Sequence, residues 1–417
     1  MFPLTPTHIR FLSLLYDYRC LSDELFTALT GEANPSSILR DLLEQQYIKQ
    51  IEYKAGKCAY LLTREGVDLL RRECDIPSEV YDGKRGIRRA YYRASELDLH
   101  PRYMNHQLHT NQFVISLMKE FDKRKIPCKY LNEKESSRYP SIRPDAILSF
   151  ADVDLLIEMD MATESRKQLK EKWENYRSFL TSPSFAYKER TIVVLFAVAG
   201  TAQERERIQL IKHTIYGSLM DLLLSDIDIY VGSPKTLMDV VTKRIIPQTQ
   251  EQDLPLFFIG KTLREQHRFS VSPATNFRSL LGASFALYVR KKQGDRLLME
   301  EGRLQEFFVD DYFFCPAKTI AKVLYIQRFS SLFRSKYGRP FTYLIVGKNE
   351  YEMYVDFSMI NALGHSNVFF TTYSRLKQKP FPEAVFQFDS FGNIHHFKHY
   401  GLSERIFETH ISMLAPQ

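Results

Sequence analysis

Cysteine is sparse in this chain. The five present, Cys20, Cys58, Cys74, Cys128 and Cys315, are odd in number and form neither a CxxC pair nor a Cys/His spacing suited to zinc. That excludes a disulfide framework and points to a reducing, cytoplasmic compartment. Long apolar runs are lacking as well, since none reaches the roughly 18 residues that a membrane span needs. The first residues, MFPLTPTHIRFLSLLYDY, carry His8, Arg10 and Asp17 inside their apolar pattern and read as neither a secretion signal nor a span. Charge of one sign is not dominant: a net +7 permits a nucleic-acid partner without requiring one. Tryptophan occurs once, but 30 Phe and 24 Tyr supply ample core material, and 417 residues exceed one hydrophobic core, so two or three domains are expected.

Residues 5–73 predict three helices, a hairpin and a fourth helix. Thr5-Pro6 starts the first helix, Ser22 caps a second that ends at Gly31, and Asn34-Pro35-Ser36-Ser37 opens the third. YIKQIEY and CAYLLT form strands around Gly56, and Thr63 caps the last helix. This order resembles a winged helix-turn-helix domain, assigned to residues 1–76. Such a fold puts its third helix in a major groove and its hairpin on the backbone, which nominates Ser36, Ser37, Arg40 and Gln45, with Lys49, Lys54 and Lys57 on the hairpin. Nine Lys/Arg stand against eleven Asp/Glu in residues 1–76, so contact with protein rather than DNA is the competing use. Residues 77–104 hold Pro77, Gly83, Gly86 and Pro101 and read as a linker or arm. Its run KRGIRRAYYR interleaves Lys84, Arg85, Arg88, Arg89 and Arg93 with Tyr91 and Tyr92, a mixture suited to phosphates and bases and equally to a solvated linker.

From 105 to 250 the periodicity predicts an α/β domain with a mixed sheet. It has a helix over about 105–123, a strand near 128–131, a hairpin at 147–161, a helix over about 165–180, and a wholly apolar strand at 191–199. Residues 251–417 read as a further α/β domain of unknown role. Their stretch 343–372 repeats the layout of 191–231, as a degenerate copy would, although no residue-level repeat is visible.

The chemistry concentrates in RPDAILSFADVDLLIEMDMATES. Asp145 opens one strand of the hairpin, and Glu158 and Asp160 share a face of the next, being two residues apart. Three carboxylates meeting across a hairpin suit a Mg²⁺ ion held against a phosphodiester; an ordinary solvated hairpin is the alternative. Pro144-Asp145 and Glu158-Met159-Asp160 resemble the PD-(D/E)xK nuclease-like superfamily. That resemblance implies a restriction-endonuclease-like α/β core with catalytic and metal-ligating roles for Asp145, Glu158 and Asp160. Asp160 stands where the superfamily has lysine, so the lysine would come from the next helix, as Lys170 or Lys172. His106 and His109 lack an acidic neighbour in their turn and suit packing or a polar contact to the sheet better than a metal. His395, His396 and His399 make a poor chelate.

The combination of YLLTREG, Glu158-x-Asp160-x-x-Thr163-Glu164, Lys170/Lys172 and Tyr176 resembles the replication-relaxation family of plasmids and conjugative elements, over roughly residues 5–235. The resemblance implies a role in element replication or DNA processing, with double-stranded DNA as partner, alongside a relaxase, a replication protein or a second copy of the chain. Two readings follow. One is a metal-dependent nicking endonuclease. The other is a non-enzymatic winged-helix regulator or assembly factor with an inactive nuclease-like platform.

Overall fold

The computed structural model describes residues 4–32, 34–74, 76, 79–82, 86–89, 92–136, 139, 141–186, 190–224, 227–250, 254–274, 283–293, 296–297, 299–300, 303–304, 306–329, 331–332, 335, 342–363, 367–389 and 391–396. The chain is mixed α/β, as its sequence predicts. It divides into two compact units. The first comprises Met1–Glu164, Ser178–Glu204 and Gly232–Pro234, and the second Ser165–Arg177, Arg205–Val231 and Lys235–Gln417.

The first unit opens with α1 (Pro6–Tyr18), α2 (Asp23–Thr30) and α3 (Ser36–Glu44). The Thr5 hydroxyl accepts the His8 N–H at the head of α1, and Ser22 does the same for Leu25 at α2. Gly31 ends α2 at φ 74°, a left-handed turn that costs glycine no Cβ clash. The antiparallel hairpin β1 (Ile48–Lys54) and β2 (Lys57–Leu62) follows, then α4 (Arg64–Glu73), so the element order is the one expected. Phe11, Leu12, Leu15, Phe26, Leu39, Leu42, Val67 and Leu70 are buried, with the Phe11 and Phe26 rings stacked at 4.8 Å.

Residues 77–104 depart from the expected linker. They contain an antiparallel pair, β3 (Glu79–Asp82) and β4 (Gly86–Arg89), and a short α5 (Ala94–Leu97). Tyr92 is buried, and its N–H donates to the Tyr16 hydroxyl at 2.8 Å. The following helix, α6 (Pro101–Lys123), starts earlier than 105 because Pro101 occupies its first turn, where the missing N–H is harmless, and the His100 ring accepts the Arg102 N–H. Of the proposed arm residues, Lys84, Arg85 and Tyr91 lie outside the described residues, as does His399; Arg88 and Arg89 stand on β4 and Arg93 is exposed.

The first unit's sheet places β5 (Cys128–Leu131), β6 (Ala146–Phe150), β7 (Val153–Asp160) and β8 (Thr191–Val198) side by side. The first two pairings are antiparallel and the third is parallel. Helix α6 packs on β5, β6 and β7. Asn111, fully buried on α6, donates to the Tyr18 and Cys20 carbonyls at 2.9 and 2.7 Å, satisfying the exit of α1 from within the core. In chain order, a short α7 (Glu133–Ser136) precedes β6, and α8 (Arg166–Leu180) and α9 (Pro183–Ala186) stand between β7 and β8.

The second unit contains α10 (Glu204–Leu219), β9 (Ile227–Gly232), α11 (Pro234–Val240), a π-helical turn at Val241–Ile245, α12 (Ile246–Thr249) and α13 (Leu254–Glu265). Its seven-stranded sheet runs β10 (Ser270–Pro273), β11 (Leu287–Arg290), β16 (Glu306–Tyr312), β17 (Tyr343–Gly347), β18 (Val368–Thr372), β19 (Phe386–Phe388) and β20 (Ile394–His396). Two small hairpins, β12 with β13 (Lys292–Gln293, Arg296–Leu297) and β14 with β15 (Met299–Glu300, Arg303–Leu304), sit between β11 and β16 in the chain. On one face of the sheet Ile259 and Leu263 of α13 pack with Val289, Phe307, Val309, Leu344, Val346 and Phe369. The other face carries ion pairs that are almost wholly out of water: Lys322–Asp310 at 2.8 Å and Lys212–Asp356 at 2.7 Å. Arg244–Asp311, at 2.5 Å, is buried as well. No helix among the described residues is long and apolar enough to cross a membrane.

Candidate functional site

Asp145 stands just before β6, and Glu158 and Asp160 lie on the last turn of β7's pleat, in the first unit. The register Ala146↔Ile157, continued two residues, sets Pro144 opposite Met159. Proline has no N–H, so the ladder with β6 ends there and Met159, still paired with Ala197 of β8, has no partner on the β6 side. Two side chains take over. Asp145 Oδ2 accepts the Met159 N–H at 2.7 Å, and His106 Nε2 lies 2.9 Å from the Met159 carbonyl oxygen. A carbonyl only accepts, so Nε2 carries the proton. The same nitrogen is 3.4 Å from Asp145 Oδ2, closing a three-membered clamp. His106 thus makes the polar contact to the sheet that its helix position suggested.

Glu158 and Asp160 are 2% and 1% exposed, so they are not the acids of a solvated hairpin. Asp160 Oδ2 accepts the Ala162 N–H at 3.1 Å, turning the chain out of the strand. Two residues before Glu158 and on the same face comes Leu156, and two before that Asp154, an acid that sequence reasoning passed over. Asp154 is fully buried and accepts from Arg190 Nε at 2.8 Å, from Ser149 Oγ at 2.5 Å and from the Tyr139 hydroxyl. Among the described residues, no three His, Cys, Asp or Glu side chains are gathered so as to hold a metal ion. The Asp145 carboxylate, one of the three acids expected to hold Mg²⁺, is engaged at the Met159 N–H. Lys170, exposed, and Lys172, half-buried, stand on the part of α8 that belongs to the second unit.

Beside the clamp opens a cleft of about 240 Å³, lined by Arg19, Tyr103, His106, Gln107, Arg143 and Asp145 among others. Tyr103 is half-exposed, with the Arg102 guanidinium stacked 4.5 Å from its ring centre. The sequence signal for Arg143 was its place directly before Pro144-Asp145; nothing local marked Tyr103.

The nominated DNA contacts are divided by the fold. Ser36, Ser37 and Arg40 are exposed on α3, and Gln45 is half-buried just beyond it. Lys54 and Lys57 face each other across the hairpin tip, both exposed, and neither is ion-paired among the described residues. Lys49 differs, being bound to Asp98. Their field reaches α6: burial, then repulsion from His106, Lys54 and Lys57, holds the His109 imidazole below its ordinary range. The hairpin tip is thus a site of uncompensated positive charge.

Residues 12–195 match the replication-relaxation family model. The match runs from within α1 into β8 and takes in the nominated α3 and hairpin residues, the clamp, Asp154, Glu158 and Asp160. It bears out, over those residues, the resemblance carried by YLLTREG and the Glu158-x-Asp160 segment. No curated protein and no solved structure matches the chain. The replication-relaxation match points to replication or DNA processing of mobile elements.

Proposed function

We propose that this chain binds double-stranded DNA during the replication or processing of a mobile element. On this reading residues 5–73 act as a winged helix-turn-helix, and the first α/β core is a platform that does not cleave. The observation that carries the reading is the pairing of an exposed polar row, Ser36, Ser37 and Arg40, with a hairpin tip whose Lys54 and Lys57 have no ion-pair partner among the described residues. Two lysines held side by side repel each other, and a phosphate backbone relieves that repulsion while releasing condensed counterions. The row on α3 would face base edges and the tip would hold the backbone. The platform part of the reading is supported by the Asp145 carboxylate, whose Oδ2 accepts the Met159 N–H and so completes the sheet. A relaxase or replication protein of the same element is the partner this role implies.

The test is duplex binding followed by fluorescence anisotropy at several salt concentrations. Lys54→Ala with Lys57→Ala should weaken binding to all sequences and lower the salt slope by about 2, one per phosphate contact. Arg40→Ala should weaken binding to a preferred site more than to other duplexes. Absence of affinity at low salt would remove the proposal. A nicking assay on supercoiled plasmid with Mg²⁺ or Mn²⁺ addresses the platform: nicking that disappears in both Asp145→Ala and Glu158→Ala would show the core to be an enzyme.

A further inference from the structure

The two α/β cores share more than a class. Leaving aside the four-residue helices α7 and α9 in the first and the small hairpins β12 to β15 in the second, the chain order is α6, β5, β6, β7, α8, β8 in one and α13, β10, β11, β16, the helix Ala317–Arg328, β17 in the other. Strand pairings agree one for one: antiparallel, antiparallel, then parallel. The leading helix packs on the first and third strands in both, α6 on β5 and β7, α13 on β10 and β16. Registers agree too. The second strand begins at Ala146, opposite Ile157, in the first core, and at Leu287, opposite Val309, in the second.

Setting Ile157 on Val309 puts Asp154 on Glu306 and Glu158 on Asp310, so both third strands carry acids four residues apart on one face. Asp145 falls on Ala286. One stripe of the following helix matches by its i, i+3, i+4, i+7 spacing: Leu169, half-buried Lys172, Trp173 and Tyr176 against Thr319, Lys322, Val323 and Ile326. By this spacing Lys172 rather than Lys170 aligns with Lys322. A sheet of this order and sense arises in many folds, but coincidence of an acid pair, a helix lysine and a strand register in one chain is a tighter agreement than topology alone provides.

We infer that the second α/β core is a duplicate of the first, and that within it Asp310, Lys322, Tyr343 and the Ala286 N–H form a structural clasp. Lys322 Nζ and the Tyr343 hydroxyl both donate to Asp310 Oδ2 at 2.8 Å, and the Ala286 N–H donates to Oδ1 at 3.1 Å. The lysine and aspartate side chains are 4% and 8% exposed, so the pair is almost wholly shielded from solvent. Glu306 is likewise taken, by the Tyr288 hydroxyl. With alanine in place of the first acid, both Asp310 and Glu306 are engaged among the described residues. The duplicate serves as a second sheet platform in the chain. This inference stands on the comparison of the cores and is independent of the DNA-binding reading.

The experiment uses the full-length chain with Lys322→Met, Asp310→Asn and the double variant, measured by thermal unfolding and by duplex binding. A clasp predicts that each single change lowers the unfolding midpoint by several degrees. The double change should lower it by clearly less than the two singles together, since neither group is then left unmatched. DNA affinity measured below the transition should be unchanged. Additive losses would overturn the clasp. A Lys322→Met chain that keeps the wild-type midpoint while losing DNA binding or processing would show an open site instead. The duplication itself is checked by an experimental structure: superposing β5 to β8 on β10, β11, β16 and β17 should lay the Glu158 Cα on that of Asp310. A superposition that shifts them out of register would overturn it.

Discussion

In the first core a fully buried carboxylate, Asp154, is neutralised by an arginine that enters from the residue before β8 and stays one-third exposed. In the second core the carboxylate of Asp310 meets a lysine from the succeeding helix, and both partners are out of water. Both arrangements answer the same demand, since an ionised carboxylate in an apolar sheet must be paired and hydrogen-bonded. They differ in what remains open. In the first core the cation is an arginine just before β8, its own side chain partly in water, whereas in the second it is Lys322 of the helix after β16, shut in with its acid.

The comparison is most sharply broken by removing each cation. Lys322→Met leaves Asp310 buried and uncompensated, and should cost about 3–5 kcal/mol in urea unfolding. Arg190→Ala leaves Asp154 with Ser149 and Tyr139 as donors and with water close by, so about 1–3 kcal/mol is expected. Equal losses would contradict the difference drawn between the cores.

Next comes Asn111→Ala, which strips the Tyr18 and Cys20 carbonyls of their donor. About 1–3 kcal/mol should be lost, with hydrogen exchange rising first around the end of α1. A smaller effect of opposite sign is expected at Asp17. Burial, helped by Glu135, pushes its carboxyl up to about 6. The folded state therefore holds this proton more tightly than the unfolded chain, and stability from this group falls as pH rises from about 4 to about 6. Asp17→Asn should remove that fall and raise stability at pH 7 by roughly 1 kcal/mol, allowing for partial exposure. Smallest is Lys49→Ala: because Asp98 already neutralises Lys49, the salt slope of DNA binding should change by less than the unit expected for Lys54 or Lys57.

Legibility in the sequence followed the locality of the forces. Thr5-Pro6, Ser22, Gly31, Gly56 and Thr63 announce their caps and turn within a few residues, so the first 73 residues were readable in full. TIVVLFAV could only be a buried strand. Glu306–Tyr312 was missed altogether, because EFFVDDY carries three acids and its strand character depends on partners such as Lys322, Arg244 and Tyr288, which no local pattern reveals. Pro101 reads as a linker breaker by its local composition, yet it begins α6. The positions of Asp145, Glu158 and Asp160 around β6 and β7 were legible from spacing. The role of Asp145 at Met159 was not, since it arises from what Pro144 cannot do on the opposite strand.

Burial and the charges of His106, Lys54 and Lys57 disfavour a proton on the His109 ring, so the hairpin's positive field is felt as far as α6; one proton taken up there in acid would add to that field and favour a polyanion.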